Sequence, residues 1–303
     1  MKLTFYGVRG SYPIARRDQV HYGGNTTCLH FSTRSGQHLI LDGGSGIRLL
    51  GDELMEQAFG AGQGEAVILV GHTHWDHILG YPFFTPFRRQ GNHFLIASAG
   101  QIGTHIGDIL SEAYADLNFP LSFEDLAADL EYLSFKPGDR LELGEFQVET
   151  VQLNHPGITV GYRIEADGCS ATVYTDTARI REIRLGDGMG IPVPNKEYAE
   201  GFLAQLAHCA HDSDILVHDT QFLEHEMVGR YHWGHSTEED ALEMARMAKV
   251  KQLALFHYAP EHSDTVVDKQ LARAQDLSRW DDFEVIAAAE GQQVDLGYRE
   301  VLS

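Results

Sequence analysis

The chain has 303 residues, enough to bury a sizeable core in one large domain or two small ones. Its 23 Lys and Arg against 44 Asp and Glu give a formal charge of −21, which argues against a general nucleic-acid binder or a polybasic membrane-surface protein. A composition 43% hydrophobic and 22% charged excludes a disordered chain, and 17 histidines point to proton transfer or metal ligation.

In chain order, Leu3–Val8, Thr27–Phe31 and His38–Leu41 read as strands, rich in β-branched or aromatic residues and bounded by glycine. The opening residues hold no apolar stretch long enough for a signal peptide. Ile47–Ala58 reads as an amphipathic helix after the Gly43-Gly44-Ser45-Gly46 turn. The apolar run Ala66–Val70 is too short to cross a bilayer and predicts a buried strand. Phe94–Ala97 is a further strand and Gln101–Glu112 a helix. Phe146–Leu153, Thr159–Ile164 and Ala171–Tyr174 read as consecutive strands, and Ile215–Val217 and Leu253–Phe256 as short buried ones. Between the last two, Thr237–Ala248 predicts a helix, with Ser236 and Glu239 as its capping box.

Tyr114–Asp139 and Arg184–Lys196 take no assignment and have the length of functional loops. Hairpins mixed with strand–helix units predict an α+β or layered α/β sandwich, and the lack of a linker or repeat favours one domain over residues 1–303. Cys28, Cys169 and Cys209 are odd in number and form no C-x-x-C, so a cytoplasmic protein with reduced thiols and no membrane association is expected.

The chemistry concentrates in Gly71-His72-Thr73-His74-Trp75-Asp76-His77, directly after the buried strand. Residues two apart in an extended segment point the same way. His72 and His74 can therefore aim at one point, and Asp76 and His77 reach a second as the chain turns. Imidazole and carboxylate donors suit borderline divalent ions such as zinc, with manganese or iron compatible.

This segment resembles the signature of the metallo-β-lactamase superfamily. Asp42 before Gly43-Gly44, His155 in Leu153-Asn154-His155-Pro156, Asp176 in Tyr174-Thr175-Asp176-Thr177 and His257 in Leu255-Phe256-His257-Tyr258 resemble its other motifs, in the same order. The resemblance implies an αββα four-layer sandwich with two divalent metal ions at one edge. His72, His74 and His155 would hold the first ion, and Asp76, His77 and His257 the second. Asp176 would bridge both, and Asp42 would order the loops around them.

Gly234-His235-Ser236-Thr237 resembles the ribonuclease Z-like phosphodiesterase branch of that superfamily, where this histidine acts on the phosphoryl group. Gly7-Val8-Arg9-Gly10-Ser11 and Tyr22-Gly23-Gly24-Asn25-Thr26 resemble its cyclic-phosphodiesterase members. Asp219, in His218-Asp219-Thr220-Gln221, is expected to orient a ligand or His235. Asp76 and His235 stand as the catalytic candidates. Trp75, Phe83, Phe84 and Tyr258 flank the motifs and are candidates for stacking on a base. His208 and His211 read as one face of a surface helix, and His232 and His262 as loop residues near the site.

The charge, and a dense basic patch limited to Arg179, Arg181 and Arg184, lead to a small phosphodiester as substrate, above all a cyclic nucleotide. A large nucleic acid is disfavoured on the same ground. The branch implies a homodimer. The alternatives are a tRNA 3′-processing endoribonuclease of the ribonuclease Z type and a lactone or thioester hydrolase.

Overall fold

The computed structural model describes residues 1–100, 104–115, 123, 126–178 and 196–297. Their strands form two seven-stranded sheets. The first runs, edge to edge, β14 (Gln293–Asp295), β1 (Lys2–Gly7), β2 (Cys28–Ser32), β3 (His38–Leu41), β4 (Glu65–Val70), β5 (His93–Ala99) and β6 (Asp129–Phe135). It is antiparallel from β14 to β3 and parallel from β3 to β6. The second runs β13 (Glu284–Ala287), β12 (Gln252–Phe256), β11 (Ile215–Asp219), β10 (Cys169–Tyr174), β9 (Val160–Ala166), β8 (Phe146–Gln152) and β7 (Arg140–Leu143). It is parallel from β13 to β10 and antiparallel from there.

Alternation along each strand feeds two separate cores. Leu39, Leu41 and Leu69 pack with Val148, Tyr162 and Ile164 of the other sheet. Ile40, Ile68 and Val70 face the opposite way, onto Ile47, Leu50 and Leu54 of α1 (Ile47–Met55) and Ile106 and Leu110 of α3 (Ile106–Ala113). A strand buried on both faces has no polar positions, which explains the unbroken apolar run at β4. On the second sheet, α4 (Lys196–Cys209) packs against β8, α5 (Glu238–Ala248) against β11 and β12, and α6 (Asp264–Leu277) against β13. The result is an α+β sandwich of four layers, αββα. No helix among the described residues is long and apolar enough to cross a membrane.

Several boundaries differ from the sequence reading. The first helix stops at Met55, and Ala58–Ala61 forms a separate 3-10 turn closed by left-handed Gly62. The helix expected over Gln101–Glu112 starts at Ile106, where His105 accepts the Gly107 N–H. The capping box of α5 is Thr237 with Asp240, one residue later than expected, because Ser236 donates its hydroxyl to the Thr177 carbonyl instead. Within Tyr114–Asp139, residues 129–135 are β6, an edge strand whose exposed side weakens its apolar signal. Of the unassigned stretch Arg184–Lys196, residues 184–195 lie outside the described residues, as do Arg179 and Arg181.

One buried titrating group sits far from the motifs. His30 on β2 has Nε2 3.0 Å from Nδ1 of His38. Burial, then the neighbouring His38, pushes its pKa from 6.5 down to about 3. The unfolded chain takes up this proton below about pH 6.5 and the folded chain does not, so acid removes stability through that window. The loss from His30 alone at pH 5 is about 2 kcal/mol. Urea midpoints at pH 7 and pH 5 should lie closer together in His30→Gln than in the native protein, and an equal spread in both counts against the assignment.

Candidate metal centre

The predicted site residues other than His235 lie at the carboxyl ends of strands or in the segments that follow them. Asp42 follows β3, and Gly71 to His74 follow β4 and lead into α2 (Trp75–Ile78), which carries Asp76 and His77. From the other sheet, His155 lies beyond β8, Asp176 beyond β10, Asp219 ends β11 and His257 follows β12. Two sheets thus aim their strand ends at one edge of the sandwich.

There the side chains meet in two groups. Ligand atoms of His72, His74 and His155 lie within 4.8 Å of one another, as do those of Asp76, His77, Asp176 and His257. Asp176 stands between the groups. One carboxylate oxygen is 3.9 Å from both His72 Nε2 and His155 Nε2, and the other is 3.0 Å from His77 Nε2. His257 Nε2 is 3.3 Å from Asp76 and 3.5 Å from Asp176.

The buried atoms His72 Nδ1 and Nε2, His77 Nε2 and Asp176 Oδ2 make no hydrogen bond. Buried polar atoms without partners are costly unless something else satisfies them. Lone pairs from imidazole and carboxylate converging at these distances fit divalent cations. Burial pushes His72 and His74 below the ordinary imidazole range and His155 down to about 3, so all three are neutral and able to ligate at neutral pH. Burial pushes the Asp76 and Asp176 carboxyls up, but His77 and His257 beside both outweigh it and hold them well below the usual range.

The surrounding backbone explains how the cluster is held. Asp42 adopts a left-handed conformation, φ 61°. Its carboxylate takes the Gly71 N–H and His77 Nδ1, both at 2.7 Å, tying the end of β3 to the motif loop. His155 Nδ1 donates to the Gly234 carbonyl at 2.9 Å. Gly234 has φ 90°, and a Cβ there would lie 2.4 Å from His155 Nδ1, so this turn requires glycine.

The opening Gly7–Ser11 segment also belongs to the site. The Ser11 N–H donates to Asp76 at 2.7 Å, and a Cβ on Gly10 would lie 2.4 Å from the His257 ring. Spacing alone does not reveal these contacts, because they join residues far apart in the sequence.

His235 is nearly buried beside this cluster, with Nδ1 2.8 Å from Asp219 and 3.8 Å from Asp176. Asp219 also accepts the N–H groups of Thr177 and Gln221, which fixes its position. The carboxylate thus selects the Nδ1–H tautomer of His235 and leaves Nε2 as the second, opposite nitrogen.

Other candidates divide by exposure. Trp75 and Phe83 are exposed, whereas Phe84 and Tyr258 are fully buried core residues. Phe84 packs among Phe87 and Phe94, and the Tyr258 hydroxyl donates to Leu255 O. His208 and His211 lie exposed at the end of α4, away from the cluster. His262 is buried and pairs with Glu226 at 2.9 Å.

Two substitutions test how the cluster is supported. Asp42→Asn loses one of two acceptor contacts and should weaken zinc binding about 10–100-fold, read by chelator competition. Gly10→Ala presses on His257 and should lower zinc affinity without unfolding the protein, checked by the same titration and by circular dichroism. Native affinity in both variants would show that neither support matters.

No family model matches the chain. It is similar to a ribonuclease Z from Haloarcula marismortui, at 24% identity over 97% of this chain and 96% of that protein. Its fold is similar to the metallo-beta-lactamase fold protein YhfI from Bacillus subtilis, with TM-score 0.64 and 17% identity over 97% of this chain and 98% of the other. Human tRNase Z, short form, matches with TM-score 0.64 and 16% identity over 98% and 100%.

The end-to-end likeness to a ribonuclease overturns the expectation that a large nucleic acid is disfavoured. That expectation summed charge over the whole surface. Screening confines each charge to about 8–10 Å, so the potential at the site edge, and not the total of −21, governs an approaching phosphate.

Proposed function

We propose that this chain is a metal-dependent hydrolase of the metallo-β-lactamase superfamily, in its ribonuclease Z-like branch, and that it cleaves phosphodiester bonds in RNA, as a tRNA 3′-processing endoribonuclease does. One observation carries the reading: the Asp219-held His235 stands beside the buried ligand cluster, in a chain alike from end to end to a ribonuclease Z. The single domain spans residues 1–303.

The donor set suits two divalent ions such as zinc. His72, His74 and His155 would hold one, Asp76, His77 and His257 the other, and Asp176, which lies between the two groups, would serve both. When bound, the ions supply Lewis-acid charge to the phosphoryl oxygens and lower the pKa of water. Asp76, fixed by the Ser11 N–H and His257, keeps its carboxylate ionised at the site. His235 faces the phosphoryl group through Nε2. Protonated, it donates to the departing sugar oxygen, and Asp219 stabilises the positive imidazole during that transfer.

A second reading is hydrolysis of a small cyclic phosphodiester such as a cyclic nucleotide. It draws on the Gly7–Ser11 segment, whose resemblance to cyclic phosphodiesterases is joined by direct contact with Asp76 and His257.

The metal-loaded protein should be given a tRNA precursor carrying a 3′ trailer, alongside 2′,3′- and 3′,5′-cyclic nucleotides. The first reading expects cleavage of the precursor, with kcat down about 10²–10³-fold in His235→Ala and less in Asp219→Asn. Turnover of cyclic nucleotides alone favours the second reading. Failure to cut any of them with both ions bound would sink both.

A further inference from the structure

The chain immediately before His235 builds a feature that the metal centre does not use. Residues Tyr231–Trp233 form a 3-10 turn ending at left-handed Gly234. The turn leaves Trp233 48% exposed. It is not loosely attached. Its indole N–H donates to His232 Nε2 at 3.0 Å, and its ring lies edge-on to Phe222 with centroids 5.9 Å apart.

Phe222 is buried with Met227 and Ala259 in a small apolar cluster of its own. It also lies edge-on to the His235 ring at 5.8 Å. His235, Phe222 and Trp233 therefore form a continuous aromatic wall running outward from the site. Arg230 caps this wall. Its guanidinium carbon lies 5.0 Å over the Phe222 ring and 5.6 Å from that of Trp233. Among the described residues no carboxylate is in ion-pair contact with it, and its one hydrogen bond is a long one to the Glu226 carbonyl.

A half-exposed indole and an arginine with no carboxylate partner among the described residues, both anchored through one buried ring to the proposed proton donor, match the two parts of a nucleotide. An aromatic face takes a base of any identity, and a guanidinium takes a phosphate. We propose that Trp233 and Arg230 form the binding subsite for the nucleotide next to the cleaved bond, with the unpaired base of an RNA strand stacked on Trp233 and its phosphate held by Arg230. This deepens the phosphodiesterase reading and rests on it. Trp233 and Arg230 are binding residues that set specificity and take no part in proton transfer.

The test compares a short single-stranded RNA substrate with versions made abasic at each position flanking the cut. In Trp233→Ala the metal-loaded enzyme should show a KM about tenfold higher on intact RNA, with kcat little changed. The loss should vanish on one of the abasic strands, and Trp233→Phe should recover most of the affinity. Arg230→Gln should raise KM on both kinds of strand. An unchanged KM in Trp233→Ala, or an equal loss on intact and abasic RNA, overturns the proposal.

If no RNA is cut at all, the functional reading fails and the subsite is judged by binding alone. Indole fluorescence is then followed in a Trp75→Phe, Trp280→Phe background as intact or abasic RNA is added. Quenching by intact RNA only supports the base platform, and absence of quenching removes it.

Discussion

Everything in this structure depends on gathering five imidazoles and two carboxylates into one pocket, with all but His74 buried. Such a cluster is expensive. Burial opposes charge on each group, and several ligand atoms there have no hydrogen-bond partner. Local balance supplies part of the compensation. Asp176 and Asp76 stay ionised because His77 and His257 lie against them, while His72, His74 and His155 stay neutral. The remainder falls to cations, and the cluster resembles a socket more than a packed core. The two sheets hold the socket open from opposite sides, so neither half of the sandwich contains a complete set of ligands.

The supports are as informative as the ligands. Asp42 bends into a left-handed conformation to take an N–H from the motif loop and a ring nitrogen from His77. Gly234 turns its carbonyl toward His155, and the next residue is the histidine that Asp219 orients. Neighbouring residues on one turn thus serve the histidine–aspartate cluster and the proposed proton donor together. A small backbone shift at Gly234 would disturb both.

Much of this was legible in the sequence, for identifiable reasons. His72, His74, Asp76 and His77 fall within six residues, so local geometry alone brings them together. His155, Asp176 and His257 each sit just past an apolar run, which placed them at strand ends. Strands buried on both faces, such as β4, announced themselves by unbroken apolar composition. Edge elements did not: β6, β7 and β14 expose alternate residues, and their pattern blends with loops. The Ser236 capping box failed because two adjacent hydroxyl residues compete for one role, and the Thr177 carbonyl draws Ser236 away. The charge argument failed for a different reason. It used a sum where the site responds only to its own surroundings.

The pairing of β1 with β14, and the contact of Gly10 with His257, have a bearing on how the molecule comes into being. Residues 2–4 pair with residues 293–295, so β1 stays at the sheet edge until β14 docks beside it. The ligand set closes only when the segment around residue 257 has emerged and docked against the opening strand. Contacts of such long sequence separation form late and slowly. A chain in which that segment has not yet docked therefore carries an incomplete cluster, and the donors of one sheet wait on those of the other.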